Sequence, residues 1–295
     1  MTPSTRGIRS AALIVNAKSR KGRRMFKRAC TATRGLPFPV DPHAVKDPDD
    51  LEKTVTTALA KKPDLVILGG GDGTISGLVD LLVGKGVVLG VLPLGTANSF
   101  ARSLGLPLDV EGAVEAIRTG RPKRIDLGMI DDDYFCSTAA MGISPQIAQT
   151  VPHNLKKVLG RAGYLGWAAW QFSRFEPFTL IVGEGPSAER LRVTEVRISN
   201  GPFHGGTELV DAADITSGEI VVQAVCGGKR HLVKNWAASV IRHKARHEDT
   251  RDFRGTSLRI ATEPPLPISI DGEVLAKTPV TAHVAPAVIE VMAPA

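Results

Sequence analysis

Cysteine, aromatic residues and long apolar runs are all scarce in this chain of 295 residues. The three cysteines, Cys30, Cys136 and Cys226, are far apart and odd in number, which argues against a disulfide framework or a zinc cage and fits a reducing compartment. No run approaches the roughly 18 apolar residues that a membrane span needs. Met1 to Ser10 lacks the apolar core of a signal peptide. These absences predict a cytoplasmic protein, at most peripheral at the inner face of a membrane. Negative charge is also in the minority: 37 Lys and Arg face 30 Asp and Glu, a net charge of +7. That balance favours an anionic partner such as a phospholipid surface, a nucleic acid or a nucleotide, and does not choose among them.

Glycine is plentiful, and its densest cluster organises the rest. Leu65 to Leu68 is a run of branched apolar residues, followed by Gly69, Gly70, Gly71, Asp72, Gly73 and Thr74, then by Leu78, Leu81 and Leu82 at helical spacing. The order reads as a buried parallel strand, a turn and a helix. The glycines are expected to free the backbone for positive φ and to leave no Cβ in the way of a phosphate. A helix N-terminus then adds unpaired N–H groups and a favourable dipole. Asp72 is anomalous in an anion cradle unless it handles a divalent cation or a proton. The plainer alternative is a βα turn with an N-capping Asp.

Other stretches fit one α/β unit. Ile8 to Val15 reads as a strand ending at Asn16, where the ligand crevice of an open sheet would lie. A short strand near Phe38 to Val40 and a helix from Asp49 to Lys62 follow. Val87 to Pro93 forms the next strand and leads into a second turn, with Gly95 for the bend and Thr96, Asn98 and Ser99 as hydrogen-bonding groups. A helix over Val110 to Thr119 precedes a strand that carries Asp126. Beyond Asp131 the pattern becomes β-rich, with Tyr134 to Ala140, Phe178 to Val182, Leu191 to Ser199, Ile220 to Val225, Ser257 to Thr262 and Leu266 to Ile270 as strands. Asn154 to Arg174 reads as one helix. The domains are expected over 1–130 and 131–295, with the last residues free to pack back on the first domain. His243 and His247 have the i, i+4 spacing of metal ligands but lack a following Glu, so a solvated basic helix is the better reading. The basic segment from Lys229 to Arg259 is either ordinary charged surface or a dock for anionic lipid.

The motifs Gly70-Gly71-Asp72-Gly73-Thr74, Pro93-Leu94-Gly95-Thr96-Ala97-Asn98, Ile125-Asp126-Leu127-Gly128, Asn200-Gly201 with Gly205-Gly206, and Asp271-Gly272-Glu273 occur in this order. Together they resemble diacylglycerol kinase catalytic domains of the diacylglycerol and sphingosine kinase superfamily. The resemblance implies a phosphofructokinase-like α/β domain and a C-terminal β-sandwich domain with the active site in the cleft between them. It implies ATP with Mg²⁺, and a lipid whose hydroxyl is phosphorylated, with diacylglycerol the leading candidate. Catalytic roles fall on Glu273 as proton acceptor, Asp72 and Asp126. Nucleotide contacts fall on Asn16, His43, Gly69, Gly70, Gly71, Asp72, Gly73, Thr74, Gly95, Thr96 and Asn98. Asp271 is expected to spend its carboxylate on the turn's own backbone. Ser99 replaces the family's usual Asp. The family's structural Mg²⁺ would sit at Asp214, Ser217 and Glu219, where Ser217 replaces another Asp. Expected partners are the lipid, an anionic membrane surface and no nucleic acid, with a homodimer among the options for assembly. The alternatives are another kinase of this superfold, such as an NAD kinase, or a lipid-binding module without chemistry.

Overall fold

The structure, a computed structural model, describes residues 7–150, 167, 170–228 and 250–294. The first half alternates strands and helices: β1 (Ala11–Asn16), α1 (Arg20–Thr33), β2 (Val40–Val45), α2 (Leu51–Ala60), β3 (Leu65–Gly70), α3 (Asp72–Val79), β4 (Val88–Pro93), α4 (Ser99–Ser103) and α5 (Val110–Thr119). Strands β4, β3, β1 and β2 lie side by side and parallel. Every residue of β3 and β4 is buried, as their unbroken apolar runs require when both sheet faces are covered. Alternation sorts the two faces. Ile14, Val66, Leu68 and Leu89 pack with Val55 of α2 and Leu78 of α3, whereas Leu13, Ile67 and Leu92 pack with Ala29 of α1 and Val114 of α5. The register aligns Asn16 with Val45, Val15 with Gly69 and Gly70 with Pro93, so the turns that follow all open at one edge of the sheet.

The second half is antiparallel: β5 (Arg121–Ile130), β6 (Asp133–Phe135), β7 (Thr138–Gly142), β8 (Phe178–Val182), β9 (Glu189–Ser199), β10 (Phe203–His204), β11 (Thr207–Glu208), β12 (Ile220–Cys226), β13 (Thr250–Gly255), β14 (Ser257–Glu263), β15 (Pro267–Ile270), β16 (Glu273–Lys277) and β17 (Val280–Ala293), with helix α6 at Ile143–Thr150. These strands enclose a core of Phe135, Met141, Phe178, Leu180, Val196, Ile198, Val222, Ile260 and Ile268. The architecture is an N-terminal α/β domain and a C-terminal β-sandwich domain.

One strand belongs to both. Strand β17 pairs antiparallel with β5 on both sides of a bulge, its first part pairs also with β14, and Glu290 and Val291 pair parallel with Val88 and Leu89 of β4. A register shift between Ala285 and Ile289 marks the passage, and Ala287 adopts φ +51° there.

Two expected boundaries differ. The stretch from Tyr134 to Ala140 breaks at Cys136 and Ser137, whose N–H groups turn to the Asp271 carboxylate and leave the ladder. The second strand runs Val40–Val45 and starts where Phe38 to Val40 was expected to end, because pairing with β1 extends it. Most of the helix expected over Asn154 to Arg174, the pair His243 and His247, and most of the basic segment Lys229 to Arg259 lie outside the described residues, and the last residues of that helix, 170–174, are helical. Trp167 and Trp170 of that helix are described, with ring centroids 4.8 Å apart.

Candidate active site

The two glycine turns meet back to back. A Cβ on Gly95 would stand 2.6 Å from Gly71 Cα and 2.9 Å from Asn98 Oδ1, so only glycine lets the turns come this close. Close approach, and not handedness, is the reason for the first cluster: Gly71 has φ −91°, and none of Gly69, Gly70, Gly71 and Gly73 lies in the left-handed region. A Cβ on Gly69 would press on Val15 and Leu94, and one on Gly70 on Thr74, so the absence of a side chain at these two lets the strand and helix seat against each other. Ile75 N–H is the first in α3 to reach back, to Gly71 O. The N–H groups before it therefore point into the crevice without helical partners, which is the geometry that receives phosphate.

Asp72 is the first residue of α3, with Gly71 at the cap, so the N-capping reading of Asp72 does not hold. Its Oδ1 accepts from Phe100 N–H at 3.1 Å, which links the starts of α3 and α4 and leaves its second oxygen for a cation or a proton. Asn98 sits at φ +49° and closes its own turn: Oδ1 accepts from Gly95 N–H at 2.9 Å and Nδ2 donates to Gly95 O at 3.2 Å. It shapes the turn. Thr96 is exposed at the tip, and Thr74 is half-buried on α3. Ser99, in the family's Asp position, accepts from Gly206 N–H at 3.1 Å and thereby ties the second turn to the sandwich.

From the other domain comes the β15–β16 hairpin. Ile270 pairs with Glu273 across Asp271 and Gly272, which have φ +44° and +105°, the two left-handed positions that an Asp-Gly hairpin turn supplies. Asp271 does not serve its own turn. Its Oδ2 accepts from Cys136 N–H at 3.2 Å and Ser137 N–H at 3.3 Å, and its Oδ1 from Thr138 N–H at 3.2 Å. Burial, with a smaller contribution from the nearby Asp72 charge, pushes its pKa up to about 6 against the pull of the Ser76 hydroxyl and those N–H groups. Glu273 is exposed, and its Oε1 lies 3.8 Å from where a Cβ on Gly73 would stand. The hairpin therefore carries one carboxylate to the glycine turn and another into the wall beside Asp72.

Between the domains lies a cavity of about 320 Å³. Asp72, Ala97 and Ser99 face Thr138, Ser144, Phe203, His204 and Asp271 across it. Behind the wall, Glu195 bonds Ser144 Oγ and Arg197 Nε, the latter at 2.8 Å, and Arg197 Nη1 donates to Gln223 Oε1 at 2.8 Å. Burial, then Arg197, lowers the His204 pKa, with Glu195 and Asp72 opposing. The repeated Gly and Asn motifs pointed to the turns, but this ion pair was missed, because Glu195 and Arg197 are ordinary alternating residues of a strand in the sequence.

Three expectations are corrected. Asp126 does not face the cavity: it is 4% exposed, its Oδ1 accepts from Ala287 N–H at 2.8 Å and its Oδ2 from Gly218 N–H at 2.7 Å. The turn proposed for structural Mg²⁺ closes on itself: Asp214 Oδ1 takes Thr216 N–H and Oγ1 at 2.8 and 2.7 Å, and Ser217 Oγ donates to Asp214 O at 2.9 Å. Asp214 Oδ1 and Ser217 Oγ are thus spent within the turn, and no cluster of three metal-ligating side chains occurs among the described residues. His43 lies on β2, separated from β3 by β1, and borders another groove with Lys46 and Lys53. Its Nε2 stands 3.1 Å from Asp41 Oδ2. Asn16 stays at the crevice edge, where its Oδ1 accepts from Lys18 N–H at 3.3 Å.

Residues 10–130 match the family described as diacylglycerol kinase catalytic domain, and residues 137–293 match the YegS C-terminal NAD kinase beta sandwich-like domain. A "Probable lipid kinase YegS-like" protein of Chromohalobacter salexigens is 30% identical over 70% of this chain and 69% of its own. An uncharacterized protein of Synechocystis sp. is 27% identical over 78% of this chain, a match spanning 54% of that relative's length. A diacylglycerol kinase of Staphylococcus epidermidis is 32% identical over 52% of this chain and 50% of its own. A crystal structure of a diacylglycerol kinase from Bacillus anthracis superposes with a TM-score of 0.73 at 19% identity over 98% of both chains, which speaks for the fold.

Proposed function

The chain belongs to the diacylglycerol kinase family, and on that premise we propose that it transfers the γ-phosphoryl group of ATP to a lipid hydroxyl, with diacylglycerol the acceptor of first choice. The observation that carries the proposal is the meeting of Asp72, the unpaired N–H groups of α3 and the Asp271–Glu273 hairpin at one cavity. The α3 N-terminus and the glycine turn receive the β- and γ-phosphates. Mg²⁺, when bound with ATP, neutralises charge on the phosphates; Asp72 is the carboxylate placed to hold it, and the residues present fit it. The lipid oxygen forms the new bond to γ-phosphorus as the bond to the β-bridging oxygen breaks. The hydroxyl proton passes to Glu273, at the lip of the glycine turn, while Asp271 pins the hairpin that carries it.

The basic composition supports peripheral docking on anionic lipid as part of the same reading, and no helix among the described residues is long and apolar enough to cross a membrane. Transfer of labelled phosphate from ATP to dioctanoylglycerol in detergent micelles tests the activity. Glu273→Gln is expected to keep nucleotide affinity and lower kcat by about 10². A loss under about threefold in a folded variant would remove Glu273 as the base.

A further inference from the structure

One side chain of the interdomain cavity has no part in the chemistry described so far. The described lining carries two carboxylates, five hydroxyl groups and a single nitrogen-bearing side chain, His204. Two guanidinium groups stand close by, and both are tied. Arg102 lies at the rim, where its Nε donates to Ala97 O at 3.0 Å, and Arg197 lies behind the wall on Glu195 and Gln223. The imidazole of His204 has no hydrogen-bond partner among the described residues. The hairpin that carries it is nevertheless held from both domains. Phe203 and His204 pair with Glu208 and Thr207 across Gly205 and Gly206, at φ +58° and +84°. Gly206 N–H donates to Ser99 Oγ at 3.1 Å on one side, and Phe203 O accepts from Thr138 Oγ1 at 3.4 Å on the other. A Cβ on Gly206 would stand 3.1 Å from Ala97 O, so the hairpin rests on the second glycine turn and fixes His204 across the cavity from Asp72.

A phosphoryl group in flight spreads negative charge over its three equatorial oxygens. The N–H groups of α3 meet it from the nucleotide side. From the cavity side a donor stabilises it, whereas a carboxylate repels it. Hydroxyl groups donate or accept as their surroundings dictate, and Ser144 already donates to Glu195. An imidazole keeps at least one N–H in either protonation state. Burial and Arg197 hold it toward the neutral form, in which it has no charge for Asp72 or Asp271 to capture. We propose that His204 is a catalytic residue whose imidazole N–H donates to the transferring phosphoryl group from the cavity side. The proposal rests on the lipid-kinase reading and adds a group to it, with Glu273 still the proton acceptor.

His204→Phe keeps an aromatic ring and removes the donor. With ATP and dioctanoylglycerol saturating, kcat is expected to fall by about tenfold or more, while ATP affinity in calorimetry and KM for the lipid stay within about threefold. His204→Gln returns an N–H and is expected to recover about threefold of that loss or more. A fall in kcat under about threefold in folded His204→Phe overturns the proposal, and so does a His204→Gln no better than His204→Phe. A defect confined to KM overturns it too, because that places His204 on the lipid and not on the phosphoryl group. Nitrogen NMR of the imidazole needs no turnover. The His204 signals, identified by their loss in His204→Gln, are expected to shift with Mg²⁺, ADP and aluminium fluoride, which mimics the phosphoryl group in flight, and to stay in place with Mg²⁺ and ADP alone. No shift with the fluoride, or the same shift without it, overturns the proposal. If the wild type transfers no phosphate to dioctanoylglycerol, the reading of that lipid as acceptor fails, and the spectral comparison alone decides the role of His204.

Discussion

Asp126 and Asp271 each collect backbone N–H groups from distant parts of the chain, yet one belongs to the scaffold and the other to the site. Asp126 stands at the junction of β5 with the β17 bulge and spends both oxygens on Gly218 and Ala287 at 2.7 and 2.8 Å. Asp271 stands on a hairpin tip, holds its three N–H partners at 3.2 to 3.3 Å, and also lines a cavity opposite Asp72. The difference teaches that hydrogen bonds from afar do not themselves mark a functional carboxylate. Access to the cavity and an adjacent like charge do, because they leave the ionised form incompletely compensated.

The strongest way to break the comparison is Asp126→Ala. It strands two part-buried N–H groups, so unfolding free energy should drop by about 3 kcal/mol, measured by denaturant titration, while nucleotide affinity of the folded fraction stays near normal. A stable but inactive variant would move Asp126 back into the chemistry.

Next in size is the pH response of Asp271. Its raised pKa means that the folded chain binds this proton more readily than the unfolded chain. Its contribution to stability is therefore complete below the ordinary carboxylate value and lost as pH rises through about 6. Activity should run the other way, falling below pH about 6 as the neutral carboxyl loosens its hold on the three N–H groups. Asp271→Asn should lower kcat and erase that limb; a limb left in place would assign it to another group.

The smallest effect concerns the contact of the turns. Gly95→Ala should cost about 1 to 3 kcal/mol by forcing the turns apart, and should weaken ATP binding in calorimetry. Normal stability would show that the turns separate freely.

Much of this was legible in the sequence where one residue type has one physical use. The apolar runs at Leu65 to Leu68 and Val87 to Pro93 named buried parallel strands, and Asp271-Gly272 after the strand ending at Ile270 named a turn, though not the second arm of the hairpin. Long-range pairing was not legible. Nothing in Asp126 says that its partners lie at Gly218 and Ala287, and nothing in Cys136-Ser137 says that a strand must break there to serve Asp271. Glycine clusters also misled in one respect: they signalled a turn, but their use was contact between backbones and not unusual φ.

Strand β17 has a mechanical consequence. Because its ends are hydrogen-bonded into different domains, any opening of the cleft must flex this strand or tear its ladder. The compliant point is the bulge near Ala287, and there the Asp126 clamp holds the joint from one side. Asp126, by bonding Gly218 on one side and Ala287 on the other, braces the one joint across which the two domains would have to bend.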